Sequence, residues 1–229
     1  MVYTRDTRVV MAMSRQSMDK QRFKKLWLGC ARNGVAARAH ECFAQVEDHY
    51  NEPHRRYHTP GHITHCLEQF DAARALMQHP DSVELAIWYH DVIYDVGASD
   101  NELQSAKLLR RHADDALPGD LVQRVHDLIM VTVHGRLEPA CLDQAFMVDI
   151  DLSSFGLPWQ RFLRDSVAVR EEFPHMSDAQ FYPRQREFLA GLLAREHFCA
   201  TDFFRKRHET RARRNITRYL ADLEARGLV

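Results

Sequence analysis

The chain predicts an all-α fold, and three features of its sequence carry that expectation. Apolar residues recur with helical period in almost every segment. Alternating β-branched runs bounded by turns are missing, and cap, proline and glycine signals punctuate the periodic stretches. With 229 residues, 45% of them apolar, the chain is long enough to bury a real core. The expectation is a compact multi-helix bundle forming one domain over 17–229, behind a loose tail at 1–16.

Taken in order, Ser17 to Ala31 places Phe23, Leu26 and Trp27 on one helical face and stops near Asn33-Gly34. Val35 to Tyr50 repeats the pattern with Ala39, Phe43 and Val46, and Pro53 ends it. Thr59-Pro60 reads as an N-cap followed by proline at the first helical position, so His62 falls in the first turn and His65 nearly one turn on, above a buried stripe of Leu67, Phe70, Ala73 and Leu76. Asp81-x-x-Glu84 and Ser99-x-x-Glu102 are capping-box candidates; the first opens a helix running through Trp88 into His90-Asp91 and broken by Gly97, the second a helix to about His112. After the Leu117-Pro118-Gly119 turn come a helix from Asp120 to His134, closed by Gly135, and an apolar segment at 143–155 interrupted by Asp149 and Asp151. Three more helical patterns, roughly Trp159–Phe173, Asp178–Arg195 and Thr201–Arg226, complete the chain.

Composition excludes several functions. Lys plus Arg (31) balances Asp plus Glu (32), so no global field recruits nucleic acid or an anionic membrane. The basic run around Arg205-Lys206-Arg207 has acidic neighbours and reads as a solvated helix face. Five scattered cysteines without a C-x-x-C pair fit a reducing compartment, and no apolar run approaches the roughly 20 residues needed to span a bilayer, so a soluble cytoplasmic protein is expected. Phosphate-loop, dinucleotide and serine-hydrolase motifs are missing.

The chemistry concentrates where charge interrupts apolar helices. A buried carboxylate is costly unless paired, hydrogen-bonded or bound to a cation, and His90-Asp91 sits in such a setting. Imidazoles and carboxylates suit divalent cations, and the chain offers them on three separate helices: His62; His90 and Asp91; and Asp149 or Asp151. Glu102 is explained first as the N3 member of the Ser99-x-x-Glu102 capping box; the functional alternative is that it orients an attacking water. Arg55 and Arg56 could clamp a phosphate. His134 could cap a helix C-terminus or touch substrate or a second metal. The second doublet, His126-Asp127, lacks such surroundings and reads as a solvated face.

In order, Arg56-Tyr57-His58-x-x-x-His62-Ile63, Trp88-Tyr89-His90-Asp91-x-x-Tyr94-Asp95, Asn101-Glu102-x-x-Ser105-Ala106, Thr132-x-His134 and Asp149-Ile150-Asp151-Leu152 resemble the HD-domain metal-dependent phosphohydrolases, closest to a bacterial group of predicted HD phosphohydrolases. The resemblance covers about 20–220. It implies metal ligation by His62, His90, Asp91 and a last aspartate, Asp151 in preference to Asp149, since that family's final ligand usually precedes a leucine, as Asp151 precedes Leu152. Relatives that hydrolyse cyclic nucleotides suggest His58 as general acid, and Arg56, inside the shared motif, becomes the better phosphate contact. The implied activity is hydrolysis of a phosphate ester by a metal-activated water. Asp91, His58 and Glu102 form the catalytic set, Arg56 and His134 contact substrate, and the cofactor is one or two divalent ions among Mn, Mg, Co, Ni, Fe and Zn. The implied partner is a small phosphorylated molecule, a nucleotide by analogy. Alternatives are a non-catalytic binding module, or a di-iron oxygenase recruiting His58, His65 or His134.

Overall fold

A computed structural model describes residues 16–32, 36–133 and 138–229. The N-terminal stretch to residue 15, the Asn33-Gly34 stop, His134 and Gly135 lie outside the described residues. Among the described residues all regular structure is helical: α1 (Lys20–Cys30), α2 (Ala36–Tyr50), α3 (Pro60–Ala73), α4 (Pro80–Tyr89), α5 (Asn101–Ala113), α6 (Gly119–Met130), α7 (Leu142–Leu152), α8 (Trp159–Glu171), α9 (Asp178–Ala194), α10 (Asp202–Phe204) and α11 (Thr210–Ala225). No helix among these residues is long and apolar enough to cross a membrane.

Helix α4 is the axis of the fold. Every residue from Ser82 to Tyr89 is buried, as expected for a helix apolar on all sides, and α1, α3, α5, α6 and α7 pack around it. Phe23 of α1 stacks on Trp27 at 5.8 Å and meets Trp88 of α4 edge-on at 5.3 Å, which locks the first helix to the axis. The result places the C-terminal end of α4 beside the N-terminal turn of α3 and the end of α7.

Several local signals act differently from their sequence reading. Glu84 caps nothing; its carboxylate accepts from Arg22 Nε at 2.7 Å. The amides just ahead of α4 are satisfied instead by Asp143, which accepts from Gln78 N at 2.8 Å and His79 N at 2.9 Å. Asp100 rather than Ser99 occupies the cap position of α5, and Glu102 falls at its second residue, outside a capping box. Leu76 is 50% exposed, because α3 ends at Ala73 and a 3₁₀ turn rotates the stripe outward.

The last pattern, which reads as one helix, contains a π-helical turn at Arg205–Glu209. The wider turn lets Glu209 accept from Phe198 N and Cys199 N at 2.8 and 2.9 Å and presses His208 onto Gly156. The neighbouring arginines are used in packing as well as solvated: Arg213 donates to the carbonyls of Leu193 and Arg195, both at 2.9 Å, and Arg218 lies over the Trp159 ring at 4.0 Å.

A Cβ at position 156 would lie 2.6 Å from His208 Cβ and Nδ1, so Gly156→Ala forces the π turn away from the core. The expected loss is roughly 1–3 kcal/mol, seen as a lower midpoint of thermal unfolding. Gly119→Ala, where a Cβ meets nothing within 4 Å, should be neutral or slightly stabilising.

Candidate metal centre

Three elements each carry one part of a buried donor cluster. Thr59 caps α3, accepting from Gly61 N, and Pro60 starts the helix, which brings His62 into the first turn with its side chain buried. His90 is the C-cap residue of α4, and its Nδ1 donates to the Ile87 carbonyl at 3.0 Å. A carbonyl can only accept, so this bond places a proton on Nδ1 and turns Nε2 inward, where it can hold a proton or, once deprotonated, bind a metal. Asp91 follows as the chain leaves the helix, and Asp151 comes from the last turn of α7.

The donor atoms converge. His62 Nε2 lies 3.3 Å from His90 Nε2, 3.5 Å from Asp91 Oδ2 and 3.3 Å from Asp151 Oδ1; His90 Nε2 lies 3.1 Å from Asp91 Oδ2 and 3.5 Å from Asp151 Oδ1. One ligand atom from each of the four residues falls within 4.8 Å of every other. Donors about 2.1 Å from a common ion, at angles between octahedral and tetrahedral, stand about 3.0–3.4 Å apart. Two imidazoles and two carboxylates at this spacing can bind a borderline or hard divalent ion. Comparison with protein-family models, curated proteins and solved structures gives no match. The site is therefore defined by its own geometry.

The electrostatics agree with a cation-seeking cluster. Burial works against an ionised Asp91, but His90 and His58 outweigh it and hold its carboxyl well below the usual range. Burial likewise opposes charge on His90, and Asp91 and Asp151 overcome it, so without metal a proton supplies the positive charge.

Asp149 belongs to a different structure. Two helical residues turn the chain by about 200°, and the Asp149 carboxylate accepts from Ala200 N at 2.7 Å, Thr201 N at 2.8 Å and Thr201 Oγ1 at 2.6 Å. It anchors the entry to α10. Burial pushes its carboxyl up to about 6 against the pull of those donors.

The loop before α3 is tied down by two buried charges. Arg55 donates to the carbonyls of Asp91 at 2.7 Å, Val92 at 2.8 Å and His58 at 3.2 Å, with Nε on Glu52 at 3.1 Å. It acts on backbone rather than on a phosphate. Arg56, the expected phosphate contact, turns its guanidinium to the carbonyls of Pro53 and Arg55 at 2.6 and 2.9 Å, and lines a smaller neighbouring pocket.

Glu172, which the sequence reading passed over, is fully buried and receives five donors. Oε1 accepts from the amides of Arg56, Tyr57 and His58 at 2.8, 2.8 and 3.0 Å, while Oε2 meets His58 Nδ1 at 2.7 Å and Tyr94 Oη at 3.0 Å. The only local signal was a carboxylate three residues after Val169, on the inner face of α8. Burial raises Glu172, yet His58 and the amides outweigh it and bring the carboxyl down to about 2. Burial lowers His58, but Asp91, Glu172 and Asp151 together raise it above its ordinary value. With Nδ1 on Glu172, Nε2 is the edge of His58 left for the cavity.

That cavity, about 400 Å³, starts at Asp91, Asp151 and His58 and extends between α5, α8 and α9, with Glu102 in its wall. His65 sits outside the cluster, its Nε2 on Ser153 Oγ at 2.8 Å, and burial pushes it down to about 4. The doublet His126-Asp127 pairs with itself at 3.0 Å away from the site.

Two expectations follow. Asp151→Asn should lower bound divalent metal sharply, as read by elemental analysis after dialysis, whereas Asp149→Asn should retain the metal and lower thermal stability. In metal-free protein, the depressed Glu172 contributes stability that is complete above its ordinary 4.5 and lost as pH falls towards 2. The raised His58 contributes stability complete below its ordinary 6.5 and lost as pH rises through its folded value. The stability difference between wild type and Glu172→Gln should therefore be greatest between pH 4.5 and 6.5, of the order of 3 kcal/mol, and shrink on both sides in denaturant titrations.

Proposed function

We propose that the chain is a metal-dependent hydrolase of the HD type that cleaves a phosphate ester of a small molecule. The observation that carries this reading is the convergence of His62, His90, Asp91 and Asp151 from three separate elements, with Asp91 and Asp151 lining a cavity that also holds His58. A divalent ion bound there would polarise a phosphoryl oxygen and bring the pKa of water towards neutrality.

The chain's own groups would do the rest. His62 and His90 present Nε2, the latter oriented by Ile87 O, and Asp91 and Asp151 balance the cation's charge. His58 would hold a proton at Nε2, within the cavity, for the oxygen of the departing alcohol. Glu172 positions His58 through Nδ1 and favours a proton on its ring, and in the metal-free protein Asp91 adds to that effect. Glu102 lies in the wall near the opening of α5, a place from which a carboxylate can orient water. The apolar remainder of the wall would exclude bulk water and so strengthen these interactions.

Mn²⁺, Mg²⁺, Co²⁺, Ni²⁺, Fe²⁺ and Zn²⁺ should be screened against a panel of phosphate esters. Asp91→Ala should lose both metal and activity, by more than about a hundredfold; hydrolysis at wild-type rate in that variant overturns the reading. His58→Gln should keep its metal and lose roughly 10²–10⁴-fold in kcat. Because a general acid must be protonated, the wild-type rate should fall as pH rises through the His58 pKa, and His58→Gln should lack that limb.

A further inference from the structure

Beyond the donor cluster the cavity changes character. Its deep wall is built from Phe155, Phe162, Val169, Phe173, Phe181 and Phe188. Phe155 packs on Phe162 at 5.9 Å and on Phe188 at 6.5 Å, and Phe173 packs on Phe181 at 5.3 Å, so two groups of rings line the cavity, with Phe188, 40% exposed, at its open side.

Several of the polar side chains along this wall are already bonded to protein. Ser166 Oγ donates to Phe162 O at 2.9 Å, and Thr132 Oγ1 to Ile129 O at 2.7 Å. Asn101 spends both ends of its amide on the Asp95 backbone, at 2.9 and 3.0 Å, and Gln185 Oε1 accepts from Tyr219 Oη at 3.1 Å. A ligand rich in hydroxyls or ring nitrogens would set most of those groups against phenylalanine rings, where burial without a partner is costly. Additional phosphates would fare no better. Among the described residues of the lining, Arg184 is the one arginine or lysine and it is exposed, while Asp165 is held by Arg161 at 3.0 Å.

Resting on the phosphate-ester reading above, we infer that the substrate is a phosphate monoester of a hydrocarbon-rich alcohol, whose single phosphate meets the donor cluster while its organic body fills the phenylalanine chamber. A cavity of about 400 Å³ lies within the range of small-molecule sites, roughly 300–1,000 Å³. In the hydrolysis, the water oxygen forms a bond to phosphorus and the bond from phosphorus to the alkoxy oxygen breaks. That oxygen takes a proton from His58, and the products are the free alcohol and inorganic phosphate. A nucleobase could stack on the phenylalanines, but the ribose hydroxyls would face a mainly apolar wall.

The test is kcat/KM of the full chain, loaded with the most active metal, for methyl, butyl and octyl phosphate and for adenosine 5′-monophosphate. Straight-chain alcohols differ little in leaving-group acidity, so a rise along the series reads burial of the chain rather than chemistry. The expected rise is roughly fourfold per buried methylene until the chamber is filled, leaving octyl phosphate well ahead of both methyl phosphate and the nucleotide. Val169→Trp, which occupies the chamber, should collapse the octyl-to-methyl ratio. If that variant does not fold, inhibition of the wild type by octylphosphonate against methylphosphonate gives the same comparison, with the octyl compound the tighter. A flat series, or preference for the nucleotide, overturns the inference and leaves phosphate-ester hydrolysis standing. Failure to hydrolyse any ester on the broad panel overturns both.

Discussion

Two buried charges of opposite sign hold the segment between α2 and α3, and the rest of the site depends on them. Arg55 carries three carbonyls that the end of α4 and the loop itself leave over, and Glu172 carries three successive amides of the same loop. A loop buried without such partners would strand backbone groups at a cost of the order of 1–3 kcal/mol each. Arg55 fastens the loop to the residues that follow His90, and Glu172 fastens it to the end of α8. Between these ties the chain enters α3, which is why His58 faces the cavity and His62 faces His90.

The same logic of compensation explains the cluster itself. Four polar side chains within 4.8 Å, two of them acidic, are tolerable at the end of an apolar helix only when positive charge joins them. Protons on the histidines can supply it, and so can a divalent ion, and the inward Nε2 atoms suit the ion. Glu172 extends the arrangement one residue outward: by holding His58 through Nδ1 it links the stability of the loop to the protonation of a group at the cavity. Loop order and the proton on His58 are thus coupled through one carboxylate.

The cavity combines this polar floor with a chamber of phenylalanines contributed by the short turn after α7, by α8 and by α9. Apart from Asp151, which α7 supplies, the residues of the two parts come from opposite halves of the chain. His62, His90 and Asp91 belong to the helices around the α4 axis, whereas Phe162, Val169, Phe173 and Phe181 belong to later elements whose role in the sequence looks like simple core. Helix α8 leans on the 3₁₀ turn at Ser153–Gly156 and on α11, and α9 leans on α11, so the space lies beside these contacts.

Much of the helical order, and the residue types of the donor cluster, were legible in the amino-acid sequence, because both are written in local or strongly patterned signals. Period 3.6 marks the helices, Thr59-Pro60 marks the start of α3, and charge inside apolar runs marks His90-Asp91 and the 149–151 pair. Choosing between Asp149 and Asp151 on physical grounds needed the tertiary structure, since both interrupt the same helix and only the position of Ala200 and Thr201 shows what Asp149 bonds to. The fates of Arg55, Arg56, Glu84 and Glu102 were hidden for a related reason: a charged side chain near a helix end has several plausible partners in sequence and one in space. Glu172 was invisible, because its five donors come from residues 78 to 116 positions away. Sequence by itself determined which segments are helical and which residue types can bind a cation. Tertiary structure alone decided which of those groups meet, because a long-range hydrogen bond leaves no period in the chain that makes it.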